Sequence, residues 1–309
     1  MSRFILRRLF NLLFSLFAVS VIVFALMHST PGGPFSFEQQ MPDFMMENIR
    51  RKYGLDQPVY QQYLNWVGAM LRGDFGIPFQ SPTETVVELV LRAWPVTLIV
   101  GAISLAFAFG FGMLFGTLAA FHQNSWLDSL VTFGATLGMA VPSYVIGFFL
   151  VLVFAVSLGW LPTGGWGEPK HLLIPVIAFS LGPMAVIARM TRTNMLETIN
   201  SEYVRLARAR GIPTRLIVRR YVLKNAAIPM VTLLLPIIPD LLTGSIFIEG
   251  VFSIPGLGRF FTSSALQRDY PMIMAMAMLI TVLWGLTFLI SDVLYALIDP
   301  RVRLPGSAR

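Results

Sequence analysis

Long apolar runs, divided by shorter polar segments, dominate the chain. The first run, Leu9 to Met27, follows Arg3, Arg7 and Arg8. Five more follow, at about Pro95–Phe121, Leu127–Leu158, Leu172–Ala188, Ile228–Ile248 and Met272–Ile298. A membrane-spanning helix needs about 17 to 25 such residues, so each run predicts one span. Gly164-Gly165, Pro255-Gly256 and Asp299-Pro300 punctuate the pattern. The expected fold is an all-α integral membrane protein with six transmembrane helices. The first run is followed by Pro31-Gly32-Gly33-Pro34 and not by a small-residue cleavage site, so it is read as a retained span. The expected organisation is a first span in 1–30, an external segment in 31–94 and a five-helix core in 95–298. A cytoplasmic loop at 189–227 lies within that core, and a cytoplasmic tail occupies 299–309.

The external segment is too long for a simple connector. It mixes Tyr53, Tyr60, Tyr63, Trp66, Phe75 and Phe79 with polar residues, and short helices are expected over 43–52 and 59–71. An ordered cap and an interfacial aromatic segment stand level as readings.

The other long polar segment, 201–229, is basic. Arg205, Arg208, Arg210, Arg215, Arg219, Arg220 and Lys224 face a single acid, Glu202. Ser201 can cap a helix, with Glu202 favourable in its first turn. Gly211-Ile212-Pro213 is a stop signal, and Thr214 can cap a second helix reaching toward Asn225. Arg215 with Arg219, and Arg220 with Lys224, are like-charge pairs at i,i+4 that disfavour an isolated helix. They suit anionic lipid or an acidic protein surface.

Composition narrows the class. Of 309 residues 55% are hydrophobic and 13% charged, against about 25% charged in a soluble domain. The net charge of +7 includes no arm of the nucleic-acid-binding kind, and no nucleic-acid partner is expected. Excess Lys and Arg instead set topology. With both termini in the cytoplasm, fifteen of the 23 basic residues fall inside and eight outside. The chain has no cysteine, which excludes disulfides and thiolate metal sites. His28, His122 and His171 share no ligand spacing, so no metal site is expected.

Pro142, Pro175, Pro183, Pro236 and Pro239 fall inside the predicted helices and are expected to kink them. Gly112 with Gly116, and Gly134 with Gly138, form GxxxG pairs. Ordinary close packing is favoured for these over a dimer face. Two acids lie within apolar runs. Asp292 is read as a structural acid within reach of an arginine on the inner face. Asp240 is a functional candidate, lining a wet cavity or pairing with another subunit. There is no GxxxxGK[ST], no HExxH and no complete dinucleotide fingerprint, so no catalytic residue is proposed and the energy source is expected on another chain.

EYVRLARARG from Glu202, followed by NAAIP, resembles the cytoplasmic EAA loop of ABC-importer permeases, in the form used by the oligopeptide, dipeptide and nickel group. FILRRL near the N-terminus, GLDQPVYQQY from Gly54, LRGDFG from Leu71 and LGWLPTGG from Leu158 also match that group. EGVFSIPGLGRFF from Glu249, RDYP from Arg268 and SDVLYALIDPR from Ser291 complete the set. The motifs recur in order over nearly the whole chain. Arg205 stands where the usual loop motif has its first Glu, with Ala207 and Gly211 in register.

The resemblance implies a type I ABC importer fold and a bacterial cytoplasmic (inner) membrane location. It implies a second homologous permease subunit, two cytoplasmic ATPase subunits, an external substrate-binding protein and contact with membrane lipid. ATP and Mg would sit on the ATPase subunits, leaving this chain without a cofactor of its own. The ATPase-coupling loop would comprise Glu202, Tyr203, Arg205, Ala207, Arg208, Ala209, Gly211 and Pro213. Pro142, Pro183, Pro236, Pro239 and Asp240 are candidates for the translocation pathway or for helix kinks along it. The implied activity is inward movement of oligopeptides or dipeptides by alternating access; nickel chelates and glutathione are the other substrates of the group. The competing reading is an ion- or proton-coupled secondary transporter that uses Asp240. A membrane-embedded hydrolase ranks third.

Overall fold

The computed structural model of the protein describes residues 2–30, 54–79, 81, 83–222, 237–239 and 246–298, with the side chains of 2–5, 214, 219, 246 and 291–298 left aside. In chain order the helices are α1 (Ser2–Ser29), α2 (Val59–Met70), α3 (Val86–Phe121), α4 (Trp126–Ala140) and α5 (Ser143–Leu150). They continue with α6 (Pro169–Ile199), α7 (Glu202–Ala209), α8 (Thr214–Ile217), α9 (Ile246–Val251), α10 (Leu257–Gln267) and α11 (Tyr270–Ile298). α5 runs on into a π-helix, Val151–Ser157, and α8 into another, Val218–Val222. No strand occurs among the described residues.

α1, α3, α6 and α11 each hold a stretch long and apolar enough to cross a membrane. α4 and α5 with its π extension supply one more as a pair, bent by 108°. The bend falls at Val141 and Pro142, both in extended backbone. The pair advances along α6. Asp128 meets Arg192, a Cβ on Gly138 would touch Ala185, and one on Gly147 would touch Ala178. We read the pair as one bent span because its contacts step back along a single partner, α6. The fifth predicted span, 228–248, lies for the most part outside the described residues.

Prolines act unequally. Pro142 breaks its run, as expected. Pro175 and Pro183 do not: α6 continues through both for 31 residues. Each removes one donor, and the i→i−4 bonds on either side carry the helix past it. Pro95, expected at the start of a span, lies inside α3, which begins at Val86. The polar residues of that first part, Glu88 and Arg92, had assigned it to the external segment. Pro239 lies in a short helical stretch, 237–239, and Pro236 falls outside the described residues.

The glycines of α3 are used within the chain. A Cβ on Gly112 would come within 2.8 Å of Ile187, and one on Gly116 would run into the backbone of Ala188 and the side chain of Thr191. This is the packing use of GxxxG, made by α6. In α4 only half of the pair serves this purpose. Gly138 lies against Leu181 and Ala185, whereas Gly134 faces open space.

By internal contacts the chain divides into two compact units. One comprises Met1–Val96 with Pro255–Leu286, the other Thr97–Ile254 with Thr287–Arg309. In the first unit α2 packs beside the C-terminal end of α1. Phe24, Met27 and Met274 are buried there, with Tyr63, Trp66 and Tyr270 packed on them. His28 bonds Gln62 at 3.1 Å, and the Tyr270 hydroxyl donates to the Met27 carbonyl at 3.1 Å. The expected helix over 59–71 is therefore present and packed on the end of α1; the one expected over 43–52 lies outside the described residues. A second core of this unit joins Val86, Leu89 and Ala93 to Leu257, Met272 and Met276.

Candidate coupling site

The candidate site is built on α7, the turn after it and α8, all within the second unit. α6 ends at Ile199, and Ser201 adopts the extended conformation of a helix cap. Its hydroxyl does not bond the amides ahead of it. It donates back to the Thr198 carbonyl at 2.6 Å, so the expected side-chain cap is not formed. The Ser201 carbonyl instead accepts from the amides of Val204 and Arg205, and this backbone pair starts α7.

One side of α7 is seated in the protein. Val204 is 0% exposed and Ala207 is buried, both in a cluster with Ala120, Met195, Ile217 and Val222. The other side is open. Tyr203 and Leu206 are 44% and 53% exposed, and Glu202, Arg205, Arg208, Ala209 and Arg210 are exposed beside them. The one-turn spacing of Tyr203 and Leu206 places them on a shared face. An apolar pair rimmed by arginines suits a protein partner with an apolar recess and acidic edges.

Gly211 ends α7 as the sequence predicted. Its φ is +74°, in the left-handed region. The Ile212 amide donates to the Ala207 carbonyl at 3.2 Å, and the Gly211 amide donates to Arg208 at 3.0 Å. These two bonds define a Schellman motif, and Ile212 packs against the cluster that holds Ala207. A Cβ on Gly211 would meet nothing within 4 Å, so conformation alone favours glycine here.

The second helix starts one residue earlier than expected. The Pro213 carbonyl accepts from Leu216 at 2.9 Å and Ile217 at 3.1 Å. Pro213 thus occupies the cap position and Thr214 is the first helical residue. Proline donates nothing at a point where no helical acceptor waits, so it suits a helix start. Arg215 and Arg220 are exposed, and Ile217 and Val222 face the cluster.

Glu202, Tyr203, Arg205, Ala207, Arg208, Ala209, Gly211 and Pro213 therefore lie together on α7 and the turn that joins it to α8. The other predicted site residues are dispersed or unseen. Pro142 sits at the bend of the α4–α5 span and Pro183 inside α6. Asp240 lies outside the described residues, as does the side chain of Asp292.

A group the sequence reading passed over stands out in the same unit. Asp128, at the start of α4, receives Arg192 of α6 twice, Nε to Oδ1 at 2.5 Å and Nη2 to Oδ2 at 2.8 Å. The Asn124 amide and the Thr132 hydroxyl also donate to it. The two side chains are 6% and 26% exposed. Arg192 had been counted only among topology-setting charges, and 64 residues separate the partners, beyond any local spacing rule.

Residues 112–304 match the family described as binding-protein-dependent transport system inner membrane component, and residues 1–101 match the N-terminal segment of such components. The dipeptide transport system permease protein DppB of Lactococcus lactis subsp. cremoris is 40% identical over 304 residues, 98% of this chain and 100% of that protein. The oligopeptide transport system permease protein OppB of Salmonella typhimurium is 39% identical over 305 residues, again 98% and 100% of the two chains. Among solved structures, the MetNI methionine ABC transporter in inward-facing form is similar in fold. The TM-score is 0.56 at 22% identity, covering 69% of this chain and 97% of that one. Matches that run from end to end, on the apolar helices described above, show that this multi-pass chain belongs to the binding-protein-dependent inner-membrane components, the permease subunits of ABC importers.

Proposed function

We propose that this permease subunit carries peptides inward and takes its energy from separate ATPase subunits through α7. The observation that carries this reading is the construction of α7. One face is fixed in the subunit by Val204 and Ala207, and the opposite face presents Tyr203 and Leu206 among arginines. A helix built in this way transmits displacement from a partner into the bundle. The partners would be two cytoplasmic ATPase chains holding ATP and Mg, a second homologous permease subunit and an external substrate-binding protein. Closure of the ATPases would bias an inward-open and outward-open equilibrium through differential contacts at α7. Peptides are favoured as cargo because the full-length relatives are named for dipeptide and oligopeptide transport. The ion-coupled alternative built on Asp240 draws no support from those relatives.

Both termini are placed in the cytoplasm, with α2 outside and α7 inside. Single cysteines at Gln61 and Arg215, both exposed, should then label from opposite faces of the membrane. Labelling of both from one face rejects this arrangement. In proteoliposomes the purified chain alone should hydrolyse no ATP. Assembled with its partners, it should take up labelled di- and oligopeptides only when ATP is present, and hydrolysis should rise with loaded binding protein. Uptake driven by an ion gradient without ATP would overturn the assignment.

A further inference from the structure

The Asp128–Arg192 pair is more than the topology of the chain requires. A carboxylate taken out of water is costly unless its acceptor sites are filled, and here four donors fill them. The bidentate Arg fork fixes orientation as well as distance. The pair joins two elements with different neighbours. Arg192 is one turn from Met195, which helps seat Val204 and Ala207 of α7. Asp128 opens α4, the first half of the span bent at Pro142. Close packing of the kind made at Gly138 against Leu181 and Ala185 fixes distance but puts no directional bond between α4 and α6.

We propose that Asp128 and Arg192 are positioning residues that weld α4 to α6, so that displacement of α7 is handed on to the bent span. The line of transmission runs from α7 through Met195 to α6, then through the ion pair to α4. Without the weld, α6 moves with α7 while the bent span lags, and ATP is spent without opening the path. This inference rests on the reading of α7 given above.

The test uses the complete complex in proteoliposomes and measures peptide taken up per ATP hydrolysed. Asp128→Leu combined with Arg192→Met removes the pair without stranding a buried charge, a change that apolar side chains of similar size generally tolerate. Assembly and thermal melting should match the parent complex and hydrolysis should persist. The uptake-to-hydrolysis ratio should fall about tenfold, within the usual range of coupling between sites. A merely structural pair predicts an unchanged ratio in the assembled double variant, and that result overturns the proposal. A second measurement leaves the pair intact. Spin labels at Trp126→Cys and Asn200→Cys, both exposed, are unique because the chain has no cysteine of its own. Their separation should be the same without nucleotide and with ATP trapped. A shift between those two states overturns the weld, whether or not the double variant assembles. A parent complex that never couples ATP to uptake would sink the functional reading instead.

Discussion

Along its second half, α6 is held by close backbone approach. Gly112 and Gly116 of α3 leave no room for a Cβ, Gly138 of α4 leaves little, and a bidentate ion pair closes the end. α7 starts three residues beyond α6 and is held quite differently. Two buried side chains seat it on an apolar cluster, and a left-handed glycine stops it. The first attachment depends on shape and resists any added atom. The second depends on a modest apolar area and on one backbone conformation. Burying a valine is worth about 1.5–3 kcal/mol, so a single substitution can dislodge α7 from its seat while leaving the packing of α6 intact.

Gly116→Leu should break this contrast most severely. The new side chain would enter the backbone of Ala188, and overpacking of this kind costs about 1–3 kcal/mol or more. The expected outcome is a poor yield of folded chain in detergent. Gly134→Leu, where a Cβ meets nothing, should leave the melting of the isolated chain within about 0.5 kcal/mol of the parent. Equal damage from both would remove the case for glycine-dependent packing.

Val204→Asp acts on the other side of the comparison. It buries an unpaired carboxylate where the valine is 0% exposed, a penalty of several kcal/mol that α7 escapes by leaving its seat. The chain should still insert and melt cooperatively, yet lose copurifying ATPase. Retention of the ATPase would show that α7 does not depend on this cluster.

Gly211→Val is the mildest of the three damaging changes and the most specific. Open space means no clash, so its cost is the left-handed strain alone, about 1–2 kcal/mol. That is comparable with the burial holding Val204, enough to tilt α7 and too little to unfold α6. Uptake should drop while hydrolysis, subunit assembly and insertion persist. Normal uptake would remove the role assigned to this turn.

Much of this was legible in the chain itself. Apolar runs announced the helices, and Gly211-Ile212-Pro213 announced the end of α7 because its chemistry is confined to adjacent residues. Ser201 was less legible. A cap residue can bond forward or backward, and the last-turn carbonyl of Thr198 took its hydroxyl. Proline was ambiguous for a similar reason. Its missing donor is the same at Pro142 and Pro183, and only the neighbouring backbone decides between a break and a continuous helix. The Asp128–Arg192 pair was out of reach because it joins distant residues, and a charge near the end of a span has an easier explanation in topology.

The 108° turn between α4 and α5 bears on where water enters the membrane. A helix end leaves its last carbonyls without helical donors. Leu137 is still satisfied by Val141, but Pro142 has no N–H to give to Gly138. Hydrocarbon cannot solvate those oxygens, and irregular backbone at membrane depth is tolerated only beside protein or water. The middle of this span is thus the point that most needs water or a protein donor. Hydrogen exchange should find the Ser143 and Tyr144 amides, at the start of α5, faster than amides half a span away on either side, a wet notch in an otherwise dry wall.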